Sequence, residues 1–136
     1  MSDAILLTGK RGEGKTLIAT MIAKRYLNEN RTIATNVNFN LDKLAPAWNK
    51  TNITRLPDNL THASLQALPI ANPTYDESKN GLILLDEASL FLNSHDWRND
   101  ETKHIRGWFA QSRKDGWDLL FLVQNEKQLD SQIKNS

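Results

Sequence analysis

The sequence predicts an α/β domain of three layers, in which a mostly parallel central sheet lies between two layers of helices. Residues 4–7, 81–85 and 118–123 are short runs of almost only apolar residues, which is typical of strands buried on both faces of a parallel sheet. Between these runs, apolar residues recur every three or four positions, the period of an amphipathic helix. Buried strands that alternate with such helices favour a sheet covered on both sides.

The first half of the chain is predicted to contain two helices and three strands. A helix over residues 15–28 follows the first strand, and a short β-branched strand is expected over residues 32–35. The buried apolar face of this helix is expected to consist of Leu17, Ile18, Met21, Ile22, Ala23, Tyr26 and Leu27. A third strand over residues 53–56 and a helix over residues 60–68 are each ended by a proline.

The second half is predicted to begin with a surface loop over residues 70–80. After the strand that starts at Gly81, residues 98–114 have the pattern of a helix that ends before Asp115-Gly116. The strand over residues 118–123 and a terminal helix over residues 126–134 complete the chain.

Length and composition indicate one domain. A chain of 136 residues can bury one hydrophobic core but not two, so residues 1–136 are predicted to form a single unit. There is no cysteine, which excludes disulfides and thiolate metal sites. No apolar run approaches the ~18 residues of a membrane span, and the first residues lack the basic start of a secretory signal. We therefore expect a cytoplasmic location.

A phosphate-binding loop is predicted directly after the first strand, because the sequence there matches G-x-x-x-x-G-K-[ST] at every fixed position. Its residues are Gly9, Lys10, Arg11, Gly12, Glu13, Gly14, Lys15 and Thr16. The glycines allow the backbone to approach phosphates closely, and Lys15 is expected to contact the β and γ phosphate oxygens. The Thr16 hydroxyl is expected to ligate Mg²⁺. The pattern therefore predicts a P-loop NTPase that binds ATP and Mg²⁺.

Two carboxylates follow the second long apolar run, as in a Walker B strand. Asp86 is expected to hold the Mg²⁺ and Glu87 to polarise the attacking water. A strand followed by a helix-capping acid would give the same letters, but the complete phosphate loop upstream favours the catalytic interpretation. A glutamate beside the metal-binding aspartate favours hydrolysis of ATP over phosphate transfer to a small molecule.

At this point the chain resembles a known family. The phosphate loop, residues 35–41, residues 84–88 and above all residues 113–124, Arg-Lys-Asp-Gly-Trp-Asp-Leu-Leu-Phe-Leu-Val-Gln, are similar to the N-terminal ATPase domain of the zonula occludens toxin family. That family includes the assembly proteins of filamentous phages and is related to hexameric ATPases that pump DNA. A Leu-Asp-x-x-Ile segment at residues 129–133 adds to the resemblance, which covers nearly the whole chain.

The resemblance implies an additional strand, residues 118–123, inserted between the phosphate-loop (Walker A) strand and the Walker B strand. Gln124 would then face the γ-phosphate as a polar sensor, although capping of a following helix would also explain it. Asn36 or Asn38 would hydrogen-bond Glu87 and hold it away from the water. An arginine from a neighbouring subunit is expected to stabilise the γ-phosphate, with Arg113 the first choice and Arg106 and Arg98 behind it. The solvated face of an amphipathic helix would also explain each of these basic residues.

The predicted function is that of an ATP-hydrolysing motor for phage assembly, export, DNA translocation or packaging. Two alternatives remain: a P-loop kinase of a small molecule, for which residues 70–80 lack the arginines of a lid, and a nucleotide-dependent scaffold without catalysis. The expected partners are further copies of the chain, in a homo-oligomer such as a hexamer, and phage DNA or phage assembly proteins in the host cytoplasm. A membrane would be contacted only through a segment outside these residues, if the chain is the N-terminal part of a longer anchored protein.

Overall fold

The computed structural model describes residues 4–8, 14–37, 53–87 and 100–123, and these form a sheet with helices on both faces. The described sheet has five strands in the order β1-β5-β4-β2-β3, and every described pairing is parallel. The strands are β1 (Ala4–Thr8), β2 (Ile33–Thr35), β3 (Ile53–Arg55), β4 (Gly81–Asp86) and β5 (Trp117–Val123). The predicted α/β fold with a parallel sheet is confirmed.

The described helices connect these strands as the sequence predicts. They are α1 (Lys15–Asn28), α2 (His62–Gln66) and α3 (Asp100–Gln111), with 3₁₀ turns at Glu77–Lys79 and Ser112–Asp115. The helix predicted over residues 60–68 is shorter than expected, because Thr61 caps its start with a reciprocal capping box to Ser64. The predicted terminal helix over residues 126–134 lies outside the described residues.

The inserted strand is where the family resemblance places it. β5 pairs with β1 from Ala4↔Leu119 to Thr8↔Val123, and on its other edge it pairs with β4 from Gly81↔Trp117 to Asp86↔Leu122. β5 therefore separates the strand before the phosphate loop from the strand that ends in the two carboxylates. Because all these strands are parallel, their carboxyl ends meet at one edge of the sheet, which we call the carboxyl edge.

Two apolar cores cover the two faces of the sheet. Alternate residues of β4 and β5 point to opposite sides, so Leu82 and Leu84 pack with α1 whereas Ile83 and Leu85 pack with α2 and α3. On the α3 side, the rings of Phe109 and Phe121 meet edge to face with centroids 5.2 Å apart. The result is the predicted arrangement of three layers.

The predicted apolar face of α1 is wrong in part. The helix buries Ala19, Ala23 and Leu27 against the sheet. The residues left on its outer side include Leu17, Ile18 and Met21, which the sequence pattern assigned to the core. Small alanines face the sheet because the helix lies close to it. The sequence prediction looked for large apolar residues and therefore missed the side of the helix on which these alanines lie. Leu17, Ile18 and Met21 therefore form an apolar patch on the surface.

Candidate nucleotide site

The site is built around the start of α1 at the carboxyl edge of the sheet. Gly14 is the N-cap residue and has φ +85°, a conformation that residues with side chains rarely adopt, and no atom of the described residues lies within 4 Å of the position a Cβ would take. A glycine N-cap offers no side chain to the first amide groups of the helix, and the first turn contains no acidic residue. The helix therefore presents free N–H groups and the positive end of its dipole, which is what a phosphate requires.

Lys15 connects this helix start to the inserted strand. Its Nζ donates a hydrogen bond to the carbonyl oxygen of Val123 at 3.1 Å. Val123 is the last residue of β5, and the preceding Leu122 is paired with Asp86 on β4. The ammonium group of Lys15 thus lies at the carboxyl end of β5, the strand next to β4.

The two carboxylates of the site have different surroundings. Asp86 is half-buried, and its Oδ1 accepts a hydrogen bond from the Glu87 N–H at 2.8 Å. Glu87 is exposed and has φ +53°, one of two described non-glycine residues with a positive φ. Such a backbone costs about 1 kcal/mol or more in a residue with a side chain. β4 therefore ends at Asp86, and the backbone turns away from the strand at Glu87.

Asn36 fixes the end of β4 through the backbone of Asp86. The Asn36 Oδ1 accepts from the Asp86 N–H at 2.8 Å, and the Asn36 Nδ2 donates to the Asp86 carbonyl at 3.2 Å. The side chain thereby extends the ladder of β2 and β4 by one rung. The sequence predicted a hydrogen bond from Asn36 or Asn38 to Glu87. Among the described residues, Asn36 instead bonds to the backbone of Asp86, one position earlier in the chain. Asn38 lies outside the described residues. Asn36 therefore positions the end of β4 through Asp86, and the other half of the hypothesis, a bond from Asn38 to Glu87, stays a prediction.

The oxygen ligands expected for Mg²⁺ are on the two elements that meet here. Thr16 is in the first turn of α1, where its carbonyl accepts a hydrogen bond from the Thr20 hydroxyl at 2.7 Å. Asp86 is at the end of β4. A hydroxyl and a carboxylate beside a phosphate site are ligands that Mg²⁺ prefers, so the residues present fit the ion. The predicted contributions of Gly9, Lys10, Arg11, Gly12 and Glu13, and that of Gln124, lie outside the described residues.

Arg113 lies at the opposite, amino edge of the sheet. It is exposed in the 3₁₀ turn Ser112–Asp115, directly before β5 begins. The seven residues of β5 span about 20 Å, and the carbonyl that holds Lys15 is at the far end of that strand. A single side chain does not cross this distance, so Arg113 cannot contact phosphates bound to its own chain. Arg106 is on α3 and is buried, and Arg98 lies outside the described residues.

A polar network that the sequence analysis missed joins the amino ends of β4 and β5. The Asp118 carboxylate accepts hydrogen bonds from the Tyr26 hydroxyl at 2.6 Å, the Arg31 guanidinium at 3.2 Å and the Asn80 amide at 3.1 Å. The Asn80 Oδ1 accepts in turn from the amide of the buried Asn72 at 2.8 Å.

The electrostatics of this network favour a neutral tyrosine. Burial, followed by the hydrogen bond to Asp118, raises the pKa of the Tyr26 hydroxyl. The guanidinium of Arg31 also lies 3.9 Å from the centroid of the Tyr26 ring. Asp118 belongs to the Gly-Trp-Asp segment of the family resemblance, so that segment organises the amino edge. The sequence contains one indication of this network, because Asp118 is a charged residue at the start of a strand that is otherwise apolar.

Comparison with known proteins establishes the family. The family model described as zonular occludens toxin (Zot) matches residues 4–136. This chain belongs to the Zot family. The predicted family is therefore confirmed. The Gene 1 proteins of Enterobacteria phage I2-2 and of Enterobacteria phage M13 are 36% identical over 134 residues and 37% identical over 133 residues. Each comparison covers 96% of this chain but only 37% and 38% of the relative, so the Zot chain described here spans little more than a third of their length.

Solved structures share the fold. The N-terminal domain of zonular occludens toxin from Neisseria meningitidis has a TM-score of 0.63 at 23% identity and covers 98% of this Zot chain and 72% of its own. The genome packaging NTPase B204 of Sulfolobus turreted icosahedral virus 2, in complex with ATP-gammaS, has a TM-score of 0.64 at 17% identity, with coverage of 98% and 70%. The chain thus shares the fold of these two proteins, one of which is an NTPase.

None of the helices that the structure describes is a candidate for a membrane-spanning segment. Each of them is too short or too polar to cross a bilayer.

Proposed function

We propose that this chain is the ATP-hydrolysing domain of a phage-assembly motor. The observation that carries the proposal is the convergence of Lys15, Asp86 and Glu87 at one edge of a parallel sheet, beside a helix start with a glycine cap. A helix N-terminus with a lysine binds phosphate. A pair of carboxylates at the end of the neighbouring strand supplies a metal ligand and a base.

Each residue has a separate role in this proposal. The triphosphate binds on the amide groups around Gly14, with Lys15 released from Val123 to contact its oxygens. Thr16 and Asp86 are the residues that would hold Mg²⁺, which neutralises phosphate charge when bound. Glu87, exposed at the site and on a constrained backbone, accepts the proton of the attacking water. Gln124 follows Val123 in the sequence, and its role as a γ-phosphate sensor stays a prediction.

The site requires a second subunit for full activity. Charge that develops on the γ-phosphate is commonly stabilised by an arginine, worth about 10³–10⁵ in rate. Arg113 is too far from its own phosphate site, so the proposal places it against the site of a neighbouring copy. The chain would then act as a homo-oligomer, with a hexameric ring as one closed arrangement.

We infer the work done by this motor from its relatives. Relatives named Gene 1 proteins of phages and the fold shared with a genome packaging NTPase support a role in moving phage DNA or phage assembly proteins. We place this activity in the host cytoplasm.

Two substitutions at the end of β4 test the hydrolytic assignment. Glu87→Gln should keep ATP bound and reduce turnover by on the order of 10² or more, because it removes the base but keeps the shape of the side chain. Asp86→Asn should in addition weaken the Mg²⁺-dependent part of ATP binding, measured by calorimetry with and without Mg²⁺. Glu29→Gln is the matched control, since it removes the same charge from an exposed glutamate at the amino edge. Wild-type turnover in Glu87→Gln would place the base elsewhere.

A further inference from the structure

The segment before β4 presents an aromatic ring to solvent. Tyr75 is fully exposed and Ile70 is 61% exposed. A single exposed apolar side chain needs no explanation, but these two line the same open pocket of about 500 Å³, together with Pro73. This volume is within the range of small-molecule sites. The pocket lies at the amino edge of the sheet, and we call it the amino-edge pocket. Part of its lining is therefore apolar and includes an exposed aromatic ring.

Two cations also line the amino-edge pocket. Arg113 and Lys114 are both exposed, and among the residues that the structure describes neither side chain has a hydrogen-bond or ion-pair partner. Of the described residues in the lining, Glu77 alone is acidic, so two positive charges stand against one negative charge. Because both cations are available to a partner, the pocket favours an anionic ligand.

The walls of the amino-edge pocket are ordered by hydrogen bonds. Asn72 accepts at its Oδ1 from the Thr74 N–H at 3.0 Å and donates from its amide to the Asp76 carbonyl at 2.9 Å. The Ala71 N–H donates to the Asp115 carbonyl at 2.8 Å, which ties the apolar segment to the turn that carries the two cations. The backbone of both parts of the lining is thus fixed before a ligand arrives, and binding requires little further ordering of the chain.

Single-stranded DNA has the two features that this lining matches. Its unpaired bases present flat π-faces that stack on aromatic side chains, and its phosphates carry negative charge that cations hold. A duplex offers the same phosphates but keeps its bases stacked inside the helix. An acidic peptide would use the cations and leave Tyr75 without a partner. The combination of an exposed ring with unpaired cations therefore favours a single strand with accessible bases.

We propose that the amino-edge pocket binds a nucleotide unit of single-stranded DNA, with its base stacked on Tyr75 and a phosphate held by Lys114. Arg113 adds positive charge, but the inference does not require it, because the proposed function assigns Arg113 to a neighbouring copy. Lys15 is at the carboxyl edge of the sheet, so the strand and the ATP bind at opposite ends of the domain. The inference rests on the proposed function only for the origin of the strand in a phage genome, and binding is measured without ATP.

Fluorescence anisotropy with a labelled oligothymidine of about 15 nucleotides tests the stacking contact. Tyr75→Ala should weaken binding about tenfold, because one base loses its aromatic partner. Tyr75→Phe keeps the ring and should bind like the wild type. An abasic strand of the same length has the phosphates without the bases, so the wild type and Tyr75→Ala should bind it equally. Tyr75 is fully exposed, and its replacement leaves the core untouched.

The salt dependence of the same binding tests the phosphate contact. Lys114→Gln should weaken binding of both strands and should reduce the slope of log affinity against log salt by about 0.7, the value for one phosphate of a single strand. Lys24→Gln is the matched control, because it removes an exposed lysine on α1, outside the pocket. It should leave the affinity and the slope unchanged.

Several outcomes would overturn the proposal. Equal affinity of Tyr75→Ala and the wild type for oligothymidine would remove the stacking contact, and equal losses in Lys114→Gln and Lys24→Gln would show attraction to charge at any position. Tighter binding of a single-stranded RNA of the same length would assign the pocket to RNA. Displacement of the oligonucleotide by polyglutamate, equally in Tyr75→Ala and the wild type, would assign it to an acidic protein segment. A Tyr75→Ala variant that changes the sedimentation of the chain but not DNA binding would place the pocket between copies.

The proposed function fails or holds separately from this inference. DNA binding with the expected losses, in a chain that hydrolyses no ATP, would contradict the proposed function and leave the pocket assignment intact. ATP hydrolysis in a chain that does not bind the oligonucleotide would overturn the pocket assignment and leave the proposed hydrolysis intact.

Discussion

Gly116 is expected to be a position where one methyl group destabilises the whole domain. It joins the turn that carries Arg113 to β5, and it has φ +79°. A Cβ added there would lie 2.5 Å from the Cβ of Asn72 and 2.7 Å from both its backbone nitrogen and oxygen. Backbone atoms cannot move aside as the end of a flexible side chain does, and Ala71 and Asn72 are themselves bonded to the Asp115 carbonyl.

Gly116→Ala should therefore lower the free energy of unfolding by about 1–3.5 kcal/mol, the sum of two costs and one partial compensation. Left-handed backbone in alanine costs about 1 kcal/mol, and the overpacking adds about 1–3 kcal/mol. The lower conformational entropy of the unfolded Gly116→Ala chain offsets roughly 0.4–1 kcal/mol of this loss. Urea unfolding followed by tryptophan fluorescence measures the change, since Trp117 is 2% exposed.

Gly107→Ala provides the matched control for this substitution. Gly107 is in the exposed middle of α3, and no atom in the part of the chain that the structure describes lies within 4 Å of its Cβ position. The same change should there stabilise the domain by about 1 kcal/mol, because alanine is the better helix former. A Gly116→Ala variant within about 0.5 kcal/mol of the wild type would refute the reasoning, since the segment around Asn72 would then be free to move.

Two further predictions concern the positioning network. Asn36→Ala removes both hydrogen bonds to the Asp86 backbone and should lower the free energy of unfolding by about 1–2 kcal/mol. It should also reduce kcat more than it raises KM for ATP, and unchanged kinetics would contradict this. For Tyr26, a pKa raised by burial means that the folded hydroxyl stays protonated above about pH 10, where the unfolded tyrosine ionises. The free energy of unfolding therefore falls as pH rises through that range. In urea unfolding, Tyr26→Phe should lose less stability between pH 8 and pH 11 than the wild type. Equal losses in the two proteins would contradict the role given to Tyr26.

The sequence predicted the parts of the fold that depend on local pattern. The bounds of α1 agree with the prediction because the phosphate loop sets its start and the polar residues after Asn28 its end. The order of the sheet did not follow from pattern, since any of several strand orders buries the same apolar runs. The position of β5 between β1 and β4 came from the family resemblance alone, and the structure confirms it.

Long-range polar contacts could not be predicted from the sequence. The bond between Tyr26 and Asp118 joins residues 92 positions apart, and that between Arg31 and Asp118 joins residues 87 apart. Nothing in the local composition of either segment indicates its partner. The error in the apolar face of α1 has a related cause, because which side of an amphipathic helix is buried depends on its neighbours. Leu17 and Met21 fit a core position by pattern and lie on the surface.

Rescue of activity by mixing tests most directly the claim that two copies complete one ATPase site. Glu87→Gln lacks the base and Arg113→Ala lacks the arginine, so each variant alone should hydrolyse ATP slowly. In an equal mixture, some interfaces join an intact Glu87 on one copy to an intact Arg113 on the next. We predict that ATP hydrolysis in the mixture exceeds the mean of the two separate samples, and that wild-type specific activity rises with protein concentration. Activity equal to that mean, together with a wild-type rate per chain that is independent of concentration, would contradict the account.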